Sequence, residues 1–482
     1  MAKPGGLQYK DIPLKMVGST KFGRFPKMST EQTYNMMISD QWLVPFGGYS
    51  VQDTVSNTGE GRGILSSSKL SKMFTVIDND VYSYDTSLSR AYLGAMTSYS
   101  GDVFLSEDNG GHVVFSDQQN LYSFDTNTNS FTNAAIGFSP GYITFQNDRF
   151  ITPELGTNRF RLSTPNGVVF PNDTQFVSSL RTKSDVCVAC VRFPGKGNLL
   201  LVFGKTVTEL WQDVGAQLFP YQRNQSVNID YGCINPATIA ANENIVVWVA
   251  QNEQSGPAIM YTTGSDFRRI STDGIDYLLA SLQFPANCYG FMLRLDGHLF
   301  YFVTWPQDNL SYAYDFNTKS FFTMTDENMQ AYIAKRVAFF DEDYYFVSIR
   351  DGNLYQLSGN KFTYDYGDLG VHEIPFIRIP PSIQMDDQSI FITGYMGFTM
   401  EQGQFNYTTG QTNNIPRVDA CLSKDGGVNF GSNVAKVCRP EGQRQNRLMW
   451  RNLGYSNNLT PQFRFHGFNR FVASDGILGI YQ

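Results

Sequence analysis

The chain has 482 residues, too many for one ordinary hydrophobic core, so two or three domains are expected. Hydrophobic residues make up 41% and charged residues only 17%, while aromatics reach 15% with 38 Phe and 27 Tyr, a balance that describes a β protein with broad contact surfaces rather than a lone monomer. The formal net charge of −7 hides a pattern, because residues 1–27 and 433–482 each carry a net +5 and leave −17 on the body between them. Basic ends on an acidic body suggest a shared role for the two ends, or simply two solvated surfaces. No apolar run approaches the ~18 residues of a membrane span, and no export signal is visible.

In chain order, residues 1–27 read as an irregular arm. Ser29-Thr-Glu-Gln32 caps a short helix through Tyr34 and Met37, or the same stretch runs extended; the pattern serves both. Trp42-Leu-Val-Pro-Phe-Gly-Gly-Tyr49 ends any such helix, and residues 59–63 form a flexible entry to a repetitive region.

In that region the chain says nearly the same thing several times. Val81-Tyr-Ser-Tyr-Asp85, Leu121-Tyr-Ser-Phe-Asp125, Ser311-Tyr-Ala-Tyr-Asp315 and Asn353-Leu-Tyr-Gln-Leu357 are alternating aromatic strands, and in three of them Asp opens a polar turn. One apolar residue marks each similar strand: Tyr82, Tyr122, Phe160, Leu210, Met260, Tyr312 and Tyr355, with gaps of 40, 38, 50, 50, 52 and 43 residues. The spacing matches the about 40–50 residues of a four-stranded propeller blade. The middle marks are weaker, since Glu209-Leu-Trp211 and Ile259-Met-Tyr261 keep the alternation without the Asp. Asp296-Gly297 and Asp351-Gly352, each between two apolar runs, are strong hairpin signals. A set of antiparallel sandwiches would share that chemistry without needing the period. The reading is all-β: a propeller of six or seven blades with an additional C-terminal β domain.

Ile374-Pro-Phe-Ile-Arg-Ile-Pro-Pro381 breaks the rhythm and marks a boundary or rigid linker. The division is an N-terminal arm (1–61) that completes the C-terminal domain, a propeller (62–372) and a C-terminal β domain (373–482).

Chemistry is sparse. Cys187-x-x-Cys190 lies in a strand-like run with no second pair and no nearby His, so Cys187, Cys190, Cys233, Cys288, Cys421 and Cys438 read as thiols of a reducing cytosol. His112, His298, His372 and His466 share no spacing, and no metalloprotease, nucleophile-elbow, P-loop or dinucleotide motif is present. No metal, cofactor or catalytic residue is assigned. A carboxylate pair for glycoside hydrolysis could come from Asp266, Asp273, Asp276, Asp341 or Asp343, although Asp in turns is the expected background. Ser423-Lys-Asp-Gly-Gly-Val-Asn-Phe430 resembles the Asp-box of sialidases and other propellers, whose role is to brace a turn. Arg444-Gln-Asn-Arg-Leu-Met-Trp-Arg451 and Phe463-Arg-Phe-His-Gly-Phe-Asn-Arg470 interleave cations with rings, which suits a subunit interface better than a grip on nucleic acid.

These last residues carry a family resemblance. Ser423-Lys-Asp-Gly-Gly, then Arg444-x-x-Arg447-x-x-Trp-Arg-x-Leu-Gly454, then Phe463-Arg-Phe465 resemble the C-terminal end of the tail hub proteins of short-tailed bacteriophages, also called packaged-DNA stabilisation proteins or tail accessory factors. Ser29-Thr-Glu-Gln-Thr-Tyr-Asn35 and Trp42-Leu-Val-Pro-x-x-Gly-Tyr49 are similar to the opening of the same group. Tyr455-Ser-Asn-Asn-Leu-Thr460 departs from it in being neutral. The resemblance implies a structural virion tail protein and no enzyme. Its subunits form a ring, expected to be a hexamer, below the portal and adaptor (head-to-tail connector) proteins. The ring meets tail fibre, spike or needle proteins and lets packaged DNA pass without tight binding. Arg444, Arg447, Trp450, Arg451, Phe463 and Arg464 are the expected interface residues. No membrane insertion is expected. The rival readings are a receptor (glycan)-binding tail protein and a propeller glycosidase. An acidic body would repel phosphates, so the ring's lumen should be acidic or neutral, with the basic ends turned to neighbouring tail proteins.

Overall fold

The computed structural model describes residues 8–21, 31–216, 219–242, 244–264, 266–402, 416–438, 445–467 and 469–481. Six four- or five-stranded antiparallel units follow one another at 61–95, 104–133, 144–179, 187–229, 232–269 and 289–323, and a seventh occupies 334–358. Neighbouring units touch in turn, and Ala334–Phe340 of the seventh returns to Gly61–Ser67 of the first, so they are the seven blades of a closed propeller. Each marked residue (Tyr82, Tyr122, Phe160, Leu210, Met260, Tyr312, Tyr355) lies on the third strand of its blade. The period therefore counts blades, and the alternatives of six or seven resolve to seven.

The physical basis is apolar packing between blades. Phe74, Phe115 and Phe124 fill the gap between blades 1 and 2, Trp211 and Phe160 that between 3 and 4, and Trp248 and Phe203 that between 4 and 5. At the strand ends, Asp caps the turn: Asp125 accepts from Asn127 N (2.8 Å) and Thr128 Oγ1 (2.9 Å), and Asp315 accepts from Asn317 N (2.9 Å) and Thr318 Oγ1 (2.7 Å). Blade 4 carries the same device, which corrects the expectation that it lost the Asp. Thr208–Asp213 ends on Asp213, three residues after the mark, where the carboxylate accepts from Gly215 N at 2.8 Å.

Blade 7 borrows its outer strand from the N-terminal region. Gly352–Ser358 pairs with Gly48–Ser56 along its length, so part of the stretch read as an arm (1–61) is propeller. Tyr49 anchors that strand, fully buried and stacked on Tyr364 at 4.4 Å. Gly47 and Gly48 are required there, because an added Cβ would sit 2.2 Å from Ser358 O at one and 2.1 Å from Thr363 O at the other.

The remaining strands form two sheets packed face to face. One runs Met36–Ser39, Trp42–Pro45, Phe471–Tyr481, Phe391–Gln402, Gln445–Ser456, with Tyr9–Leu14 also on Phe471–Tyr481. The other runs Gln32–Tyr34, Phe376–Ile379, Asn458–His466, Arg417–Ser423, Val434–Val437. The 29–37 stretch is thus extended where described, and the proline-flanked segment is no linker. Phe376–Ile379 is a fully buried strand. Gln32–Tyr34 pairs on its other side with the outer strand of blade 6 (Tyr34 opposite Thr323), which makes blade 6 and this sheet one continuous ten-stranded sheet.

Arg378 lies in the seam at 0% exposure. It donates to Glu31 Oε1 (2.8 Å), Thr33 Oγ1 (3.0 Å), and the carbonyls of Met16 (2.8 Å) and Lys15 (3.2 Å), while Glu31 also meets Lys21 at 2.8 Å. Breaking one side of a buried pair leaves the other uncompensated. We therefore expect Arg378→Met to cost about 3–5 kcal/mol in urea unfolding, with Glu31→Gln added in the same chain recovering part of the loss. Burial pushes the Glu31 carboxyl up, but Arg378 and Lys21 more than offset it and hold it below its ordinary 4.5. Glu373, bonded to His466 and Gly467 N, is likewise depressed against the pull of burial. Depressed carboxyls stabilise the fold above their unfolded value and lose that contribution as pH falls. The melting temperature should therefore fall as pH drops below about 4.5, and less steeply in Glu31→Gln than in the parent.

Candidate assembly interface

The expected interface residues separate according to which way each strand faces. Along Gln445–Ser456 the side chains alternate, with Leu448 and Trp450 inward and Arg447 and Arg451 exposed. Trp450 (2% exposed) and Phe463 (0%) meet between the two sheets at 5.5 Å, with Phe398 against both. These two rings form the sandwich core and support the surface from behind, so they make no surface contact of their own. Arg464 is half-buried on the other sheet, opposite Asp419 and near Glu373, where His466 bridges Glu373 (2.9 Å) and Asp419 (3.2 Å). Arg444 lies outside the described residues. Arg447 and Arg451 thus share one surface, and Arg464 belongs to another.

The outer face of the first sheet carries residues that the sequence reading did not single out. Register places Tyr9 opposite Tyr481, Tyr481 opposite Ile392, and Ile392 opposite Tyr455, one row across four strands. All four are exposed, from 37% for Tyr481 to 68% for Tyr455. Glycines let the rings lie on the sheet: a Cβ at Gly479 would sit 2.3 Å from the Tyr395 ring. Tyr395 donates to Asp11 at 2.7 Å, and Tyr9 OH bonds both Asp11 and Tyr395. These bonds hold the Asp11 carboxyl below its usual range and push the Tyr9 hydroxyl up. The next rows bring in Arg451, Met449, Ile477 and Arg447, so an aromatic and aliphatic face runs into a basic edge. The alternation Arg447, Met449, Arg451 is visible in the sequence; the row is not, since its members come from four separate strands and Tyr9 lies more than 380 residues from the rest.

Charged and polar groups reach across the propeller axis. Arg336 of blade 7 donates to Ala237 O of blade 5 (2.7 Å) and Gly290 O of blade 6 (3.3 Å) and faces Asp102 at 3.5 Å before blade 2. Its guanidinium lies over Phe104, and neighbouring Lys335 pairs with Glu60 and Asp102. Groups from around the ring of blades therefore meet at the centre.

Other candidates resolve into structure. Asp425 accepts from Val428 N (3.1 Å) and Asn429 N (3.0 Å) and bonds Ser423, a turn brace that holds its carboxyl far below normal. Asp273 and Asp276 both bind Arg269 at 2.8 Å, and Asp266 binds Arg268 at 3.0 Å. A β-bulge between Cys187 and Ala189 turns both Cys187 and Cys190 into one apolar cluster, and burial pushes the Cys190 thiol up. Among the described residues no group of His, Cys, Asp and Glu could hold a metal ion, and no helix is long and apolar enough to cross a membrane.

Comparisons with known proteins bear on this arrangement. No curated protein sequence matches the chain. Among solved structures, a streptogramin B lyase is similar at 14% identity, over 67% of this chain and 100% of its own, with a TM-score of 0.45. A virginiamycin B lyase from Staphylococcus aureus is similar at 12% identity, over 73% and 99%, with a TM-score of 0.42. The N-terminal domain of Nup159 matches at 10% identity, over 71% and 100%, with a TM-score of 0.39. The model of the phage stabilisation family, described as "Bacteriophage P22 Gp10, beta-propeller", matches residues 24–361. That span takes in all seven blades and the N-terminal strand that closes them, and the chain belongs to this family of bacteriophage tail-stabilisation propellers.

Proposed function

We infer that the protein is the hub of a short phage tail. Identical copies, six by expectation, form a ring below the portal and adaptor proteins and connect it to fibre, spike or needle proteins. The ring helps retain packaged DNA and forms its exit channel.

The observation that carries this reading is the uncovered row Tyr9, Tyr481, Ile392 and Tyr455 with its basic border. Exposed rings and aliphatics in one contiguous strip are characteristic of surfaces that meet partners. Arg336 bridges blades across the centre, which supports a DNA path that runs between copies rather than through a propeller. An acidic body suits such a path, because it repels phosphates where a basic lining would hold them.

The test is the mass of the purified protein by light scattering, alone and with candidate portal–adaptor proteins. A closed ring, or a monomer that joins one on meeting that complex, is the expected result. A monomer indifferent to the complex would move the reading to glycan binding. In a virion map the lumen should be acidic or neutral, and a lumen lined by Arg447 and Arg451 would overturn that part. Replacing Tyr9, Ile392 and Tyr481 together by Ser should weaken ring formation by about tenfold or more while leaving the melting temperature within a few degrees, because the three side chains are exposed.

A further inference from the structure

The two sheets of the C-terminal sandwich each end on an unpaired strand, and both ends face one groove. Gln445–Ser456 closes the first sheet and Val434–Val437 the second; among the described residues neither has a partner on its outer side. The groove between them, about 560 Å³, is lined by Val434, Lys436, Val437, Arg447, Met449 and Arg451. Trp450 Nε1 donates to Val434 O at 2.8 Å, which fixes the second edge against the first.

A twelve-residue strand with a free edge is a template for pairing, and proteins normally cover or blunt such an edge. This one is not blunted by proline. Val434 and Val437 are 51% and 62% exposed beside it, and the nearby cations are Lys436, Arg447 and Arg451, of which Arg447 also lies within electrostatic reach of the Asp11 carboxylate. We propose that the groove takes an extended, acidic segment of another tail protein, added as a further strand on Gln445–Ser456. A strand laid there would set its own side chains beside Arg447, Met449 and Arg451 on the shared face. The recognised pattern is therefore acidic, apolar, acidic at alternate positions.

A second copy of the same edge does not fit. Antiparallel pairing about Met449 would place Arg447 of one copy opposite Arg451 of the other, and like charges directly opposite repel. Nucleic acid fits less well than an acidic strand. Trp450, the ring that lines the groove, is buried, and valines interrupt the cations. The proposal deepens the hub reading and rests on it only for the source of the partner.

The test uses the full chain and a ten-residue synthetic peptide with Glu-Thr-Leu-Thr-Glu at its centre, beside the same peptide carrying Lys for Glu. The acidic peptide should bind and the basic one should not. The double variant Arg447→Glu/Arg451→Glu should bind the acidic peptide about tenfold or more weakly and gain the basic one. Both variant positions are exposed, and an unchanged melting curve confirms the fold. Amide exchange at residues 447–451 should slow on binding, which distinguishes strand addition from loose charge attraction. Equal binding by parent and variant, unchanged exchange, or binding of a DNA oligonucleotide in place of the peptide would overturn the proposal. A ring seen by light scattering with no peptide binding would leave the hub standing and remove this inference alone.

Discussion

An arginine taken out of water must find an acceptor for each of its five N–H groups, and Arg378 finds them all on the N-terminal segment. Glu31 neutralises the charge, and Thr33 Oγ1 together with the carbonyls of residues 15, 16, 19 and 32 takes the remaining donors. Because these acceptors lie at residues 15–19 and again at 31–33, one buried side chain fixes the path of the chain at both stretches. That path delivers Gln32–Tyr34 into the slot between blade 6 and the sandwich, and then Gly48–Ser56 onto blade 7. The propeller is closed, and joined to its neighbour, by the same stretch.

The join is rigid in kind. A linked pair of domains would have two cores and a connection that bends. Here one apolar cluster runs from Phe300 and Phe302 of blade 6 and Phe346 of blade 7 through Phe46 and Tyr49 to Phe376, Phe398 and Trp450 of the sandwich. A backbone ladder crosses the same boundary at Tyr34 and Thr323. A push on the sandwich surface is therefore felt in two blades, as it would be in a close-packed solid.

How much of this was legible in the sequence depends on range. Local chemistry was readable: the aromatic alternation and the Asp turns placed the third strand of all seven blades, because strand and turn preferences act within a few residues. Asp213 is hard to see because Glu209-Leu-Trp211 carries no Asp of its own, although the carboxylate stands at the same offset as Asp85, Asp125 and Asp315. Long-range pairings were not readable. Nothing near Gly48 announces Ser358, and the proline-flanked 374–381 looks like a linker until Gln32–Tyr34 and Asn458–His466 pair with Phe376–Ile379. The candidate interface was legible in half. Cations and rings stand together in the sequence at 444–451, but a strand sends alternate residues to opposite faces, so Arg447 and Arg451 reach the surface while Trp450 enters the core.

The pairing of Tyr9 with Tyr481 has a consequence for manufacture. At about 5–20 residues per second, synthesis of a chain this long takes roughly half a minute to a minute and a half. Blades 1 to 6 can form as they emerge, whereas the strands that precede them must wait, first for Gly352–Ser358 and then for Phe471–Tyr481. The row of exposed rings is assembled from residues 9, 392, 455 and 481, so the surface comes into being only when the last strand is laid. A truncated or half-folded copy presents no such face. The chain's topology thus acts as its own inspection step, because the row exists only on copies in which Phe471–Tyr481 has paired.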